Sequence, residues 1–367
     1  MFARKRLLFL IPSMGGGGAE RVFSILLRHL DRNRFEPHLA VLRGAGPRTQ
    51  DIPEDVAVHE LAASRARYSV SAIVRLIRKI KPDIVLSTHV RLNLALVVSK
   101  PMLPVGIRLL LRETIPPSTV SVNKFLLVLW HLLYRPLYSR ADKVVCLSDS
   151  MLEEIAVEFR MPRDKLVRIY NPVDVERVRE LAEAAPNPYS GPGPQLVAVG
   201  RLARQKGYDL LLSALPAVRK QIPGVRLAIL GQGELQAELE RQARQLGLAD
   251  AVRFFGFQRN PWPFIKHAGL FVLPSRFEGL PNALLEAAVL ERPIVAADCP
   301  GAVAELKPYL PAMTLVPPED PGALARAIIA ACTMSSRSAG AGSFSGDVLA
   351  RFGWQKIVGE YTDLFLS

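Results

Sequence analysis

Cysteine is scarce in this chain. Three residues, Cys146, Cys299 and Cys332, are spread over 367 positions. Nothing in their spacing makes a zinc site or a disulfide framework, which fits a reducing cytoplasm. Long apolar runs are missing as well. Leu7 to Ile11 is five residues long and reads as a first strand, not as a secretory leader. No stretch approaches the roughly 20 apolar residues that a membrane-spanning helix needs. There is no Asp-x-Asp anywhere, and no G-x-G-x-x-G dinucleotide fingerprint. Apolar residues nevertheless make up 49% of the chain and mean hydropathy is +0.18. Global disorder is therefore excluded, and 367 residues exceed one ordinary core and fit two domains.

Charge is unevenly placed. Residues 1–170 hold 27 Lys and Arg against 15 Asp and Glu, whereas 171–367 hold 20 against 19. Nearly all of the formal +13 thus sits in the first half and points to an anionic partner there, a nucleic acid or a membrane surface. No stacking-aromatic platform or nucleic-acid module is visible, so no nucleic acid is expected. Asn123 to Arg140 (NKFLLVLWHLLYRPLYSR) leaves almost no polar face and is bracketed by Lys124, Arg135 and Arg140. That is the composition of an interfacial helix, or of an ordinary buried one; the charge excess favours the interface.

Strands and helices alternate along the chain. Strands are expected at Arg6–Pro12, Pro37–Leu42, Val56–Leu61, Pro82–Ser87, Val105–Leu111 and Ala141–Ser148, with a helix over 71–81. Such alternation predicts a parallel, doubly wound sheet whose ligands lie beyond the carboxyl ends of its strands. His89, Asn93, Arg112 and Glu113 fall just past such ends, and Glu113 is expected to line an open site. A Pro/Gly-rich run over 186–194 reads as a linker between domains 1–185 and 195–345. Residues 334–346 are of low complexity.

Four stretches carry chemistry. Gly15 to Gly18, ahead of Ala19-Glu20-Arg21, let the backbone come close to a ligand between a strand and a helix. Gly200-Arg201-Leu202-Ala203-Arg204-Gln205-Lys206-Gly207 follows an apolar strand, and its cations can reach a diphosphate. Gly231-Gln232-Gly233 is a second glycine loop. The run from Ser275 to Ala288 follows the apolar strand Leu270–Leu273, with Glu278 on a loop, Asn282 as the expected N-cap, and Glu286 on the second turn. Helix-start N–H groups flanked by carboxylates suit a ligand bearing both phosphate and hydroxyl groups.

The run FEGLPNALLEAA, with Glu278 and Glu286 separated by seven residues, resembles the E-x7-E signature of retaining, GT-B-fold glycosyltransferases of family GT4. Residues 200–207 resemble that family's GR-x(4)-KG motif, 231–233 its G-x-G loop, 168–174 its I-x-N-G/P-V-D segment, and 15–21 its opening GGxER loop. Pro300 stands where a glycine is common in the later GG-x-x-E segment.

The resemblance implies an α/β fold of two Rossmann-like domains facing across a cleft, with a C-terminal helix over 351–367 crossing back to the first. It implies sugar transfer from a nucleotide-sugar, UDP first and GDP second, with retained configuration and no essential metal or other cofactor. Arg201 and Lys206 would neutralise the diphosphate. Glu286 would bind the ribose, Glu278 the donor sugar, and main-chain groups of Gly279, Leu280, Pro281 and Asn282 both sugar and phosphate. Gly16, Gly17, Gly200, Gly231, Gly233 and Phe257 would complete the donor site, and Glu113 or His89 would handle the acceptor. A lipid-linked or glycan acceptor at the cytoplasmic face of an anionic membrane is expected, as in surface-polysaccharide assembly. The alternatives are a non-catalytic nucleotide-sugar-binding protein and a UDP-sugar epimerase of the same fold.

Overall fold

The computed structural model describes residues 4–42, 44, 46, 48–61, 69–119, 132–190, 193–335 and 350–367. The first part of the expected interfacial helix (123–131) and most of the low-complexity segment lie outside the described residues. The chain divides into two compact units: Met1–Pro172 with Trp354–Ser367, and Val173–Gly353.

The first unit is built on β1 (Lys5–Ile11), β2 (Phe35–Val41), β3 (Ala57–Glu60), β4 (Ile84–Thr88), β5 (Arg108–Arg112), β6 (Lys143–Cys146) and β7 (Leu166–Arg168). Their order is β3-β2-β1-β4-β5-β6-β7, and every pairing is parallel. Inner strands are covered on both faces, so they read as near-continuous apolar runs; Leu8 to Ile11 are at most 1% exposed. Helix Gly18–His29 buries Val22, Phe23, Leu26 and Leu27 on one stripe. Helix Trp354–Leu366 belongs to this unit, as expected of a crossing helix. Phe365 meets Phe35 and Phe9 edge to face at 5.8 and 6.3 Å. Lys5 Nζ donates to the Phe365 carbonyl (3.1 Å), and Arg108 donates to the carbonyls of Leu364 and Phe365 (3.0 and 3.1 Å). Cations at a helix C-terminus satisfy carbonyls that have no partner within the helix. One strand boundary is corrected: β5 starts at Arg108, and Val105 stands fully exposed in the preceding turn.

The second unit holds β8 (Gln195–Val199), β9 (Arg226–Leu230), β10 (Val252–Gly256), β11 (Leu270–Leu273), β12 (Ile294–Ala297) and β13 (Met313–Val316). They are again all parallel, in the order β10-β9-β8-β11-β12-β13. The units part at Pro172 and not in the 186–194 stretch, which moves 173–185 from the first domain to the second. Packing explains the shift. Helix Val175–Glu183 buries Val175, Val178 and Ala182 and lies against helices Trp262–His267 and Asn282–Val289. Asn260 Nδ2 also donates to the Leu181 carbonyl at 2.8 Å.

Candidate functional site

In the second sheet the chain leaves β8 in one direction and β11 in the other, so the carboxyl ends of these two neighbours mark the topological switch point. Four loops leave the same edge: 200–207 after β8, 231–235 after β9, 274–281 after β11 and 298–302 after β12. Main-chain bonds lock them together. Leu202 N–H donates to Gln232 O (2.9 Å), Leu235 N–H to Leu202 O (3.1 Å), Glu278 N–H to Pro300 O (2.9 Å) and Ala302 N–H to Gly279 O (2.9 Å). Two glycines permit this closeness. Gly231 has φ +142° and Gly301 φ +117°, and a Cβ on either would stand 1.9 Å from the Gly200 carbonyl oxygen or 1.7 Å from that of Glu278. Pro300 beside Gly301 leaves the turn intact.

Lys206 and Glu278 meet at the switch point. Lys206 Nζ donates to Glu278 Oε1 at 2.6 Å, and Ser275 Oγ donates to the same oxygen at 2.6 Å. Both side chains are largely withdrawn from water, 19% exposed for Lys206 and 5% for Glu278. Two opposite charges this close offset each other's desolvation, and removing one leaves the other buried and uncompensated, at about 3–5 kcal/mol. Arg201 lies exposed on the same loop. The carboxylate of Glu278 pushes the buried hydroxyl of Tyr208 further upward, beyond what burial alone does, and burial with the same carboxylate pushes the Cys299 thiol up to about 12.

Glu286 is 2% exposed on helix Asn282–Val289. That placement excludes a solvated surface role. The expected N-cap is corrected by one residue: Pro281 occupies the cap with φ −76° and ψ 105°, and Asn282 begins the helix. Gly279, Leu280 and Pro281 are buried, and Asn282 is half-buried. Gly200, Gly231 and Gly233 lie half-buried on their loops. Phe257 is half-buried just past β10, where Gln258 Nε2 donates to the Phe255 carbonyl at 2.7 Å.

Several residues that position this site gave no signal as isolated motifs. Ser275 orients Glu278, while Gln205, Asp209 and Arg276 join the two charged loops. Asp209 lies two residues after Gly207, and Arg276 two before Glu278. Opposite charges at the margins of two motifs were the signal available.

In the first unit the switch point falls between β1 and β4. Gly16, with φ +98°, and Gly17 lie on the loop after β1. His89 directly follows β4, half-buried, and precedes helix Val90–Ser99 with φ +72°. A non-glycine residue in that region is strained, and such strain concentrates at functional positions. Glu113 differs from its expectation. It is fully buried rather than lining an open site. Tyr138 Oη–H donates to its Oε1 at 2.6 Å, and Asn93 Nδ2 donates to the same oxygen at 3.1 Å. Burial, only partly opposed by these two bonds and by Arg112, raises its carboxyl to about 7. Arg112, 1% exposed, donates to Asn171 Oδ1 (2.5 Å) and to Thr88 Oγ1 (3.3 Å). Glu113 therefore belongs to a polar interior joining the strand ends to the helix at 132–138. Tyr134 and Tyr138 are buried and stacked at 3.9 Å, while Leu132 and Leu133 are 68% and 42% exposed.

Two doubly wound, all-parallel units, the second with its charged loops gathered at the switch point, define an α/β protein of the GT-B class. Comparisons agree. Residues 16–177 match the sequence profile of Glycosyltransferase Family 4, and residues 193–333 match that of Glycosyl transferases group 1. The chain belongs to this family, the group 1 or GT4 glycosyltransferases. An uncharacterized glycosyltransferase of Methanocaldococcus jannaschii is 28% identical over 62% of this chain and 58% of its own length. The N-acetylgalactosamine-N,N'-diacetylbacillosaminyl-diphospho-undecaprenol 4-alpha-N-acetylgalactosaminyltransferase of Campylobacter jejuni is 28% identical over 82% of this chain and 83% of its own. Among solved structures, Anabaena HepE in complex with UDP-glucose superposes with a TM-score of 0.78 at 18% identity, covering 98% of both chains. Sucrose-phosphate synthase of Thermosynechococcus elongatus gives 0.79 at 17% identity, covering 99% of this chain and 98% of that one.

Proposed function

We propose that this chain is a retaining glycosyltransferase that moves a hexose from a nucleotide-sugar, a UDP-sugar first and a GDP-sugar second, to a lipid-linked or glycan acceptor. The observation that carries the reading is the meeting of Lys206 Nζ with Glu278 Oε1 at the switch point of the second sheet, 2.6 Å apart. Lys206 and Arg201 supply the positive charge that a departing diphosphate needs, without a metal ion, and such stabilisation counts most in a water-poor site. Glu278 accepts hydrogen bonds from hydroxyls of the donor sugar, and Glu286 from those of the ribose. The spacing of the strands supports this layout. Two strand intervals of roughly 4.8 Å separate β8 from β10, about the reach of a nucleoside running from the diphosphate at the switch point to a base near Phe257. Departure of the diphosphate and attack by the acceptor on the same face retain configuration through an oxocarbenium-like state, so Glu278 need not form a covalent bond.

HepE, which shares the fold, binds UDP and UDP-glucose, and this supports uracil as the base. The Campylobacter jejuni relative is named for a diphospho-undecaprenol acceptor, and this supports a lipid-linked one. His89, strained at the first unit's switch point, is assigned to the acceptor. Peripheral attachment to an anionic cytoplasmic membrane face is supported by the basic first unit and by exposed Leu132 and Leu133, near exposed Arg135 and Arg140. No helix among the described residues is long and apolar enough to cross a membrane.

A thermal-shift panel of UDP, GDP, ADP, CMP and their sugar conjugates, with EDTA present, tests the reading. A ligand that binds only the native state raises Tm by mass action. Stabilisation by one nucleotide series in EDTA is expected, and a flat response to the whole panel would reject the donor site.

A further inference from the structure

Lys206 and Glu278 sit on different loops, and their meeting has a cause outside the pair. Arg276 lies two residues before Glu278 with its side chain 14% exposed. Its Nη1 and Nη2 donate to Asp209 Oδ1 and Oδ2 at 2.8 and 2.7 Å, a two-pronged bond to the first turn of helix Tyr208–Gln221. Nη1 also donates to the Arg204 carbonyl at 2.9 Å, and Nε to Glu319 Oε1 at 2.8 Å. The main chain repeats the connection: Arg276 N–H donates to Gln205 O at 2.8 Å, and Gln205 Nε2 to Phe277 O at 3.0 Å. Residues 204–209 and 275–278 are thus sewn together on either side of the Lys206–Glu278 contact. The fork geometry of a guanidinium on a carboxylate fixes orientation as well as distance, which an ammonium cannot do. Burial alone would raise the Asp209 carboxyl, and Arg276 outweighs it and holds the group below its ordinary range.

We infer that Arg276 and Asp209 are the positioning pair of the donor site: without touching the ligand, their two-pronged bond sets the separation at which Lys206 and Glu278 meet the diphosphate and the sugar. This rests on the nucleotide-sugar reading given above. A displacement of about 1 Å at a reacting group costs on the order of 100-fold in rate, so a clamp that fixes two loops is under a strict geometric demand. Glu319 is 61% exposed and serves as an outer partner.

The test measures UDP and GDP affinity by calorimetry, together with melting temperature, for Arg276→Lys, Asp209→Asn and Glu319→Gln. Arg276→Lys keeps the charge and removes the fork. It is expected to weaken the tighter nucleotide about tenfold while the melting temperature stays within a few degrees of the parent. Asp209→Asn should do the same, and Glu319→Gln should stay within twofold. In a Lys206→Ala background, adding Arg276→Lys should change the affinity less than twofold, because the clamp acts through Lys206. Affinity within twofold of the parent in both clamp variants overturns the inference, as does an undiminished loss in the Lys206→Ala background, which a merely structural role would give. Should a clamp variant unfold, Gln205→Ala, which removes only the bond to Phe277, must still weaken binding measurably; unchanged affinity there is refutation. If the parent protein binds neither nucleotide, the donor reading itself falls and takes this inference with it. That result is distinct from binding that ignores the clamp.

Discussion

Replacing Glu113 with Gln isolates the cost of one buried carboxyl. Its acid group is raised from 4.5 to about 7, mainly by burial. Between these two values the folded chain holds a proton that the unfolded chain has released. Stability from this group is therefore fully present below pH 4.5, is lost as the pH rises toward 7, and stays lost above it. A difference of 2.5 units at 1.36 kcal/mol each gives about 3 kcal/mol. Gln keeps an oxygen where Oε1 accepts from Tyr138 and Asn93 but cannot ionise. Parent and Glu113→Gln should therefore melt together near pH 4 and separate by several degrees at pH 8, with the variant the more stable. At roughly 2–4 °C per kcal/mol for a unit of this size, the shift is readily measured by calorimetry across pH 4 to 8. Because Glu113 is wholly buried, transfer activity should change less than threefold. Parallel pH slopes for the two proteins would refute the buried-acid argument. Loss of turnover with an unchanged melting curve would return Glu113 to the substrate.

Lys206→Ala and Arg201→Ala should each lower donor kcat/KM by about 100-fold or more while circular dichroism stays that of the parent; full activity in both would remove the diphosphate assignment. Gly301→Ala places a Cβ 1.7 Å from the Glu278 carbonyl oxygen at φ +117°, and denaturant unfolding should show a loss of about 2 kcal/mol or more. Leu132→Glu with Leu133→Glu alters exposed positions. It should cost under about 0.5 kcal/mol yet reduce sedimentation with anionic vesicles several-fold, and equal sedimentation would reject the interfacial helix.

The parallel sheets were legible because buried strands announce themselves as short apolar runs: Leu7 to Ile11 and Leu270 to Leu273 allow few other readings. Strand ends were less legible. Val105 is apolar and reads from sequence as part of β5, but apolarity does not distinguish a buried strand residue from one exposed in a turn. The domain boundary was displaced for a related reason. Proline and glycine mark where a chain turns, whereas membership in a unit follows from what a helix buries, and Val175, Val178 and Ala182 bury against the second unit. At the site, the motif residues carried their own spacing. Glu113 illustrates where spacing fails. A charged residue just past a strand end has the same sequence context whether it opens to a ligand or closes onto Tyr138, and only the partner 25 residues on decides between them. The same holds for Arg276 and Asp209, 67 residues apart. Neither is distinctive alone, and their meaning arises when β8 and β11 become neighbours and bring two ordinary charges to either side of the pair that the chemistry needs.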